Sequence, residues 1–379
     1  MARSISARHG SARNCPLRAC AGRRESRVVR SLDDLRSDFD PAPGYLNAAT
    51  AGVPPRRTVR ALRADLDRWG SGGLDVPRYE EAVGAARARF AALTAVDVDR
   101  VAIGSQVSAM AAVVAASLPD GARVVCVDGD FTSTVYPFLA QAPRLRVCHA
   151  PADRLAEAVV PGVDLVAYSL VQSATGQVLD DDAVVAAARA AGAWTLCDLT
   201  QAAGWLPVDA GRYDVAVTAA YKWLCAPRGV GFLTVRPEVQ DRLRPVQAGW
   251  YAGDDPWTSC YGPEMHLAAD ARRFDVSPAW QAWLGAAESL DAFAATDPAA
   301  VRAHAVGLAD AFRAGLGLPP GGSAIVSLPD ADGARRAALE NAGCRVAGRA
   351  GRVRVAFHVW NDEEDVARAL AALGARVAG

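Results

Sequence analysis

Lys222 is the only lysine in a chain of 379 residues that holds 40 arginines. A guanidinium supplies charge but stays protonated, whereas a lysine amine can lose its proton and condense with an aldehyde. Lys222 follows Asp214-Val-Ala-Val-Thr-Ala-Ala-Tyr221, just past an apolar run of strand length. Other polar groups hold comparable places. Gly104-Ser105-Gln106 follows Val101-Ala-Ile and opens an apolar helix, offering backbone N–H groups and a hydroxyl to an anion. Asp130-Phe131-Thr132-Ser133 follows Arg123–Val127. Asp198 closes Trp194-Thr-Leu-Cys-Asp, with Gln201 three residues on.

Singly, each has an ordinary reading: a surface lysine, a Gly-Ser helix start, a helix N-cap at Asp198. Together they lie at successive strand ends, where open α/β sheets bind ligands. A buried aspartate wants a cationic partner, and the sequence near Asp198 offers none. A protonated pyridine nitrogen would serve. Phosphate cradle, aromatic face, aspartate and lysine describe a site for pyridoxal 5'-phosphate, in which Phe131 stacks on the ring.

The elements that must position these groups are legible. Short, continuously apolar runs at 101–103, 123–127, 145–148, 165–168, 194–197, 215–218 and 231–235 alternate with helical stretches such as 75–95 and 181–191. This predicts an α/β domain with a mostly parallel sheet covered on both faces. After about residue 262 helices are expected at 279–295 and 299–315. A smaller α+β domain follows, with strands at 323–328 and 353–357 and helices at 334–342 and 363–373. The expected division is therefore a basic extension (1–30), an N-terminal segment with the large domain (31–262) and a small domain (263–379).

Composition narrows the function classes. The net charge of -1 gives no reason to expect nucleic acid or an anionic membrane as partner. Residues 1–30 carry eight arginines and one glutamate, +7, leaving -8 elsewhere. This head lacks the apolar core of a secretory signal; it resembles a transit peptide in composition, but a disordered extension or an over-long start is the favoured reading. No uninterrupted apolar run reaches membrane-spanning length. The eight cysteines show no CxxC or zinc spacing, which predicts a cytoplasmic protein with free thiols and no metal.

The stretch Thr195-Leu-Cys-Asp-Leu-Thr-Gln-Ala-Ala-Gly-Trp, then Tyr221-Lys-Trp-Leu and Pro227-Arg-Gly-Val-Gly-Phe-Leu, resembles the class V, fold-type I pyridoxal phosphate enzymes. These include aminotransferases, cysteine desulfurases and kynureninases. The likeness runs from about Tyr45 to Asn361, and its aspartate-to-lysine spacing of 24 is specific. It implies that Ser105, Gln106 and Tyr221 hold the phosphate and that Phe131 covers the ring. Asp198 would pair with the ring nitrogen, Gln201 would approach the ring hydroxyl or phosphate, and Lys222 would form the Schiff base. Arg354, in an Arg-x₆-Asn pattern, would grip a substrate carboxylate in a bidentate fork, with Asn47 also at the substrate. Trp250 in Gly249-Trp-Tyr resembles a segment that reaches a neighbouring subunit's phosphate in a homodimer, although a core aromatic pair reads equally well.

Departures from the pattern bear on the reaction. A desulfurase needs an exposed, activated thiol shortly before the carboxylate-binding arginine. Cys344 lies ten residues before Arg354 at an expected strand start, and the loop after it has no cysteine. Ala219 and Tyr221 replace a serine and a histidine, which leans toward the kynureninase-like side, where Tyr221 can donate a proton. Ser277-Pro278 departs from the family's usual cofactor-rim pattern. The expectation is an enzyme acting on a small amino acid through an external aldimine, most simply an aminotransferase. The alternatives are a lyase or hydrolase (C-S lyase or kynureninase-like) and a noncatalytic cofactor-binding module.

Overall fold

The computed structural model describes residues 30–375; the basic head before Arg30 lies outside the described residues, as do Cys15 and Cys20. Seven strands form the large sheet: β1 (Val101–Gly104), β2 (Arg123–Val127), β3 (Arg146–Ala150), β4 (Leu165–Ser169), β5 (Trp194–Asp198), β6 (Val215–Ala219) and β7 (Gly231–Val235). Their order is β1-β7-β6-β5-β4-β2-β3, parallel except for β7, which runs against both its neighbours. A second sheet, β8 (Ile325–Pro329), β9 (Ala347–Arg349) and β10 (Arg352–Ala356), is antiparallel in the order β8-β10-β9.

Alternate residues of the same strands feed two separate cores. Val125 and Val127, Val166 and Tyr168, and Cys197 face helices Val76–Leu93, Asp181–Ala191 and Trp280–Ala294. Val124 and Cys126, Leu165 and Ala167, and Leu196 face helix Val107–Ser117 and Phe138. Burial on both faces is why these strands read as unbroken apolar runs. Helix ends are chemically marked. Asp180 accepts the Ala183 N–H at the start of Asp181–Ala191, and Gly192 closes it at φ 70. Helix Trp280–Ala294 packs on Arg56–Gly70 and Val76–Leu93, beside the large sheet. The small sheet has its own core, built from Phe312, Val326, Val353, Phe357 and Leu370.

One stretch of backbone joins the two parts. Leu46 donates its N–H to Arg345 O and accepts from Ala356 N, tying it to the small sheet. Asn361, buried, donates Nδ2–H to Tyr45 O and to Asp365 Oδ2, so this member of the Arg-x₆-Asn pattern is architectural. Farther on, Gly52 donates its N–H to Tyr221 O at 2.9 Å. A Cβ at Gly52 would collide with the Lys222 carbonyl and sit 2.8 Å from Cys225 Sγ, so only glycine permits this approach. Residues 45–52 thus run from the strand of Arg354 to the loop of Lys222.

Candidate active site

Lys222 lies three residues past the end of β6 and is 5 % exposed. Among the described residues its Nζ makes no hydrogen bond and no ion pair; it looks onto the Phe131 ring, 5.2 Å from the centroid, and the Tyr221 ring at 5.9 Å. Burial, joined by the guanidiniums of Arg354, Arg349 and Arg228, pushes the amine down to about 8 against the opposing pull of Asp198. Such an amine is unprotonated in a far larger share near neutrality than an ordinary lysine, as a nucleophile toward an aldehyde must be.

Asp198, the last residue of β5, is equally buried. Its Oδ1 accepts the Thr200 N–H at 2.8 Å and its Oδ2 the Thr134 hydroxyl at 3.1 Å. No guanidinium or ammonium pairs with it among the described residues. At the end of β2, Asp130 brackets the neighbouring loops: Oδ1 accepts Phe131 N and Oδ2 accepts Ser169 N. That clamp holds the Phe131 backbone, while its ring stays 44 % exposed toward the cavity.

Ser105, Gln106, Phe131, Asp198, Tyr221 and Lys222 line one cavity of about 380 Å³, together with Ser108, Thr200 and Arg228. Gln106 is the N-cap of helix Val107–Ser117 but makes no side-chain cap, so the first-turn N–H groups stay open to an anion. Gly104 faces Gly231 across β1 and β7, and a Cβ on Gly104 would sit 2.8 Å from Met110 Sδ. The absence of both side chains lets that helix start settle over the sheet.

Four sequence-derived residues, Gln201, Trp250, Asn47 and Arg354, stand outside the lining of this cavity. Gln201 is saturated by protein: Nε2 donates to Ala49 O and Ser173 Oγ, and Oε1 accepts Trp223 Nε1–H. It braces the loop carrying Lys222. Trp250 stacks edge-on against Tyr251 at 5.2 Å and tilts against Trp257 at 5.1 Å, and within this chain it lines no part of the cavity. Asn47 lines a separate groove with Tyr45 and Cys344, its buried Oδ1 unpartnered.

Arg354, on β10, is 1 % exposed, and its charge acts on the lysine. Its Nη1 donates to Ser173 O at 2.5 Å and Ser173 Oγ at 3.1 Å, and its Nη2 donates to Thr50 Oγ1 at 2.8 Å; Nε is unpartnered. Burial and Arg349 push it down to about 10, so it stays cationic at neutral pH without a carboxylate partner. Cys344 is also buried, and burial pushes its thiol up, the reverse of an activated nucleophile. It precedes the isolated bridge at Arg345 rather than starting β9.

Sequence reading missed Arg228, Thr134, Thr200, Ser173, Thr50 and Arg349. Arg228 had a signal: it stands six residues past Lys222 in Pro-Arg-Gly, and its guanidinium stacks 4.9 Å from the Tyr221 ring. The others are joined to the site only by folding.

Pyridoxal phosphate fits these residues. Among the described residues the buried Asp198 carboxylate lacks a cation and the Lys222 amine a hydrogen-bond partner, Phe131 presents a flat face, and an uncapped helix start with Arg228 nearby suits a phosphate.

Residues 103–336 match the sequence model of the family Aminotransferase class-V. A kynureninase of Deinococcus radiodurans is 32 % identical over 305 residues, 74 % of this chain and 73 % of that one. An isopenicillin N epimerase of Streptomyces clavuligerus is 31 % identical over 315 residues, covering 75 % and 77 %. Among solved structures, C-DES with glycine covalently linked to its PLP cofactor superposes with a TM-score of 0.80 at 21 % identity, covering 89 % of this chain and 98 % of that one.

Proposed function

The chain belongs to the class V aminotransferase family of pyridoxal-phosphate-dependent enzymes, and from that premise we propose that it transforms a small amino acid by moving the proton on the substrate's α-carbon. The observation that carries this reading is the buried, unpartnered Lys222 amine facing Phe131 and Asp198, with the cationic Arg354 nearby.

Bound pyridoxal phosphate supplies an aldehyde for the amine and a protonated ring that accepts electrons from the α-carbon. The chain's own groups do the rest. The Asp198 carboxylate, fixed by Thr134 and Thr200, holds a proton on the ring nitrogen. Phe131 covers one face of the ring and keeps water from it. Ser105, Gln106, Tyr221 and Arg228 hold the phosphate, and Arg354 orients the substrate by its α-carboxylate. Lys222 Nζ, its pKa brought down to about 8 by burial, takes and returns the α-proton.

Transamination is the simplest outcome of that proton transfer and is the reading adopted. Loss of a side-chain fragment is the second reading. It is favoured by the kynureninase relatives and by Tyr221, whose phenol ring lies 5.9 Å from Lys222 Nζ and is suited to donate a proton to a departing group. The burial of Cys344 speaks against desulfuration through a protein thiol. A cytoplasmic homodimer is proposed as well. It is supported by the free thiols and by the exposed Trp257 against Trp250, with Tyr261 and Met265 exposed farther along the same segment and suited to burial by a second copy. No helix among the described residues is long and apolar enough to cross a membrane.

The test is a visible-absorbance screen of the cofactor-loaded protein against single amino acids, with product analysis. Conversion of the cofactor to its amine form, reversed by a keto acid, supports transamination. A persistent cofactor band with release of a side-chain fragment supports the second reading. A band that answers to no amino acid overturns both.

A further inference from the structure

Two arginines whose charges reach Lys222 converge on one hydroxyl. Arg354 Nη2 and Arg349 Nη2 both donate to Thr50 Oγ1, at 2.8 and 3.5 Å. They belong to adjacent antiparallel strands, with Ala347 opposite Arg354 and Arg349 opposite Arg352. Opposed residues share a face and side chains alternate, so Arg349 and Arg354 project from the same face of the small sheet. The register is pinned by the two-residue turn Ala350-Gly351, with φ 47 and 68, as a tight hairpin demands.

Their surroundings differ. Arg354 is buried and fixed by three hydrogen bonds, whereas Arg349 is exposed and, among the described residues, donates only to Gly348 O and Thr50. Neither has a carboxylate partner among the described residues. Most arginines placed near a carboxylate in this chain pair with it, for example Arg87 with Asp275 and Arg89 with Asp291. Arg352, between the two on the same face, is committed to Ser327 through Nε and Nη2. That leaves Arg349 as the uncommitted guanidinium beside the one assigned to the α-carboxylate.

We propose that Arg349 forms a second anion subsite, so that the substrate is an acidic amino acid whose side-chain carboxylate is held by Arg349 while Arg354 holds its α-carboxylate. This rests on the reading of Arg354 above and narrows it to a substrate class. Thr50 sets the spacing: with both Nη2 atoms bonded to one oxygen, the two cations stand a few ångströms apart, the scale of the two carboxylates of a four- or five-carbon diacid. An exposed arginine at a hairpin tip can swing onto the outer carboxylate as it arrives.

The test is isothermal titration of the cofactor-loaded enzyme with unreactive acids: succinate against propionate, glutarate against butyrate. The diacid should bind about tenfold tighter than its monoacid, as one added charge-assisted contact implies. Arg349→Gln should erase that preference and leave monoacid binding unchanged, and Arg354→Gln should weaken all four. Equal affinity for mono- and diacids, or an equal loss for both in Arg349→Gln, overturns the proposal; the latter would mean that the two arginines share a single carboxylate. Failure of the underlying reading looks different: the loaded enzyme would bind none of these acids, or Arg354→Gln would change nothing.

Discussion

Lys222 Nζ lies over the ring of Phe131, 5.2 Å from its centroid, although 91 positions separate them in the chain. The Asp130 carboxylate makes the contact by gripping both the Phe131 N–H and the Ser169 N–H. An aromatic face beside a reactive amine is useful only if a flat ring is to lie between them. Phe131→Leu keeps apolar bulk and removes the flat face. It should weaken cofactor affinity by up to about tenfold, read by absorbance-monitored titration of the stripped protein.

The Lys222 amine also fixes a pH dependence. Its folded value is pushed down from 10.5 to about 8, so the neutral amine dominates above about pH 8 and falls tenfold per unit below it. Cofactor incorporation into stripped protein should accelerate up to about pH 8 and then level off. A rise continuing toward 10.5 would mean that the amine is not desolvated.

Asp198 and Lys222 are electrostatically coupled, the carboxylate holding the amine's proton on. Asp198→Asn keeps the shape of the side chain and removes its charge. It should shift the incorporation midpoint below that of the parent and reduce turnover by on the order of 100-fold, while some cofactor binding survives. Unchanged turnover would remove Asp198 from the ring nitrogen.

Stability rests partly on a buried pair outside the cavity lining. Arg87 Nη2 meets Asp275 Oδ2 at 2.6 Å, and Asp275 Oδ1 accepts Ile103 N–H on the edge strand β1. Removing one partner leaves a buried charge, so Asp275→Ala should cost about 3–5 kcal/mol in denaturant titrations. Replacing both with apolar residues should cost less.

His358, fully buried among Trp223, Phe293 and Trp360, donates Nε2–H to Trp223 O and is pushed down from 6.5 to about 3 by burial. The unfolded chain takes up this proton near 6.5 and the folded chain does not. The contribution is therefore fully present above pH 6.5 and lost as pH falls, at roughly 1.4 kcal/mol per unit. Urea midpoints should decline from pH 6.5 to 4, and His358→Gln should flatten that decline.

How much of this was legible in the sequence depended on what each feature obeys. Strands such as Arg123–Val127 and Gly231–Val235 were bounded to the residue, because two-sided burial makes them uniformly apolar between turns. The reversed direction of β7 was not, since both directions leave the same apolar run. Helix Arg56–Gly70 gave little signal, as its buried positions include the polar Thr58 and Asp65. Helix Thr132–Leu139 carries Pro137 inside it, which reads as a break. At the site, Lys222 and Asp198 announced themselves by type and spacing. Thr50 and Ser173 did not: they reach Arg354 across 304 and 181 positions, and nothing in their own neighbourhoods marks them. Gln201 had the right type but spends its amide on Ala49, Ser173 and Trp223.

The central claim is that the single lysine carries the cofactor. Borohydride reduction of the pyridoxal-phosphate-loaded protein, followed by peptide mapping, addresses it directly. The account predicts one reduced adduct per chain, on Lys222, and none in Lys222→Ala with the fold intact. An adduct on the N-terminal amine alone, or none on the parent protein, would contradict it.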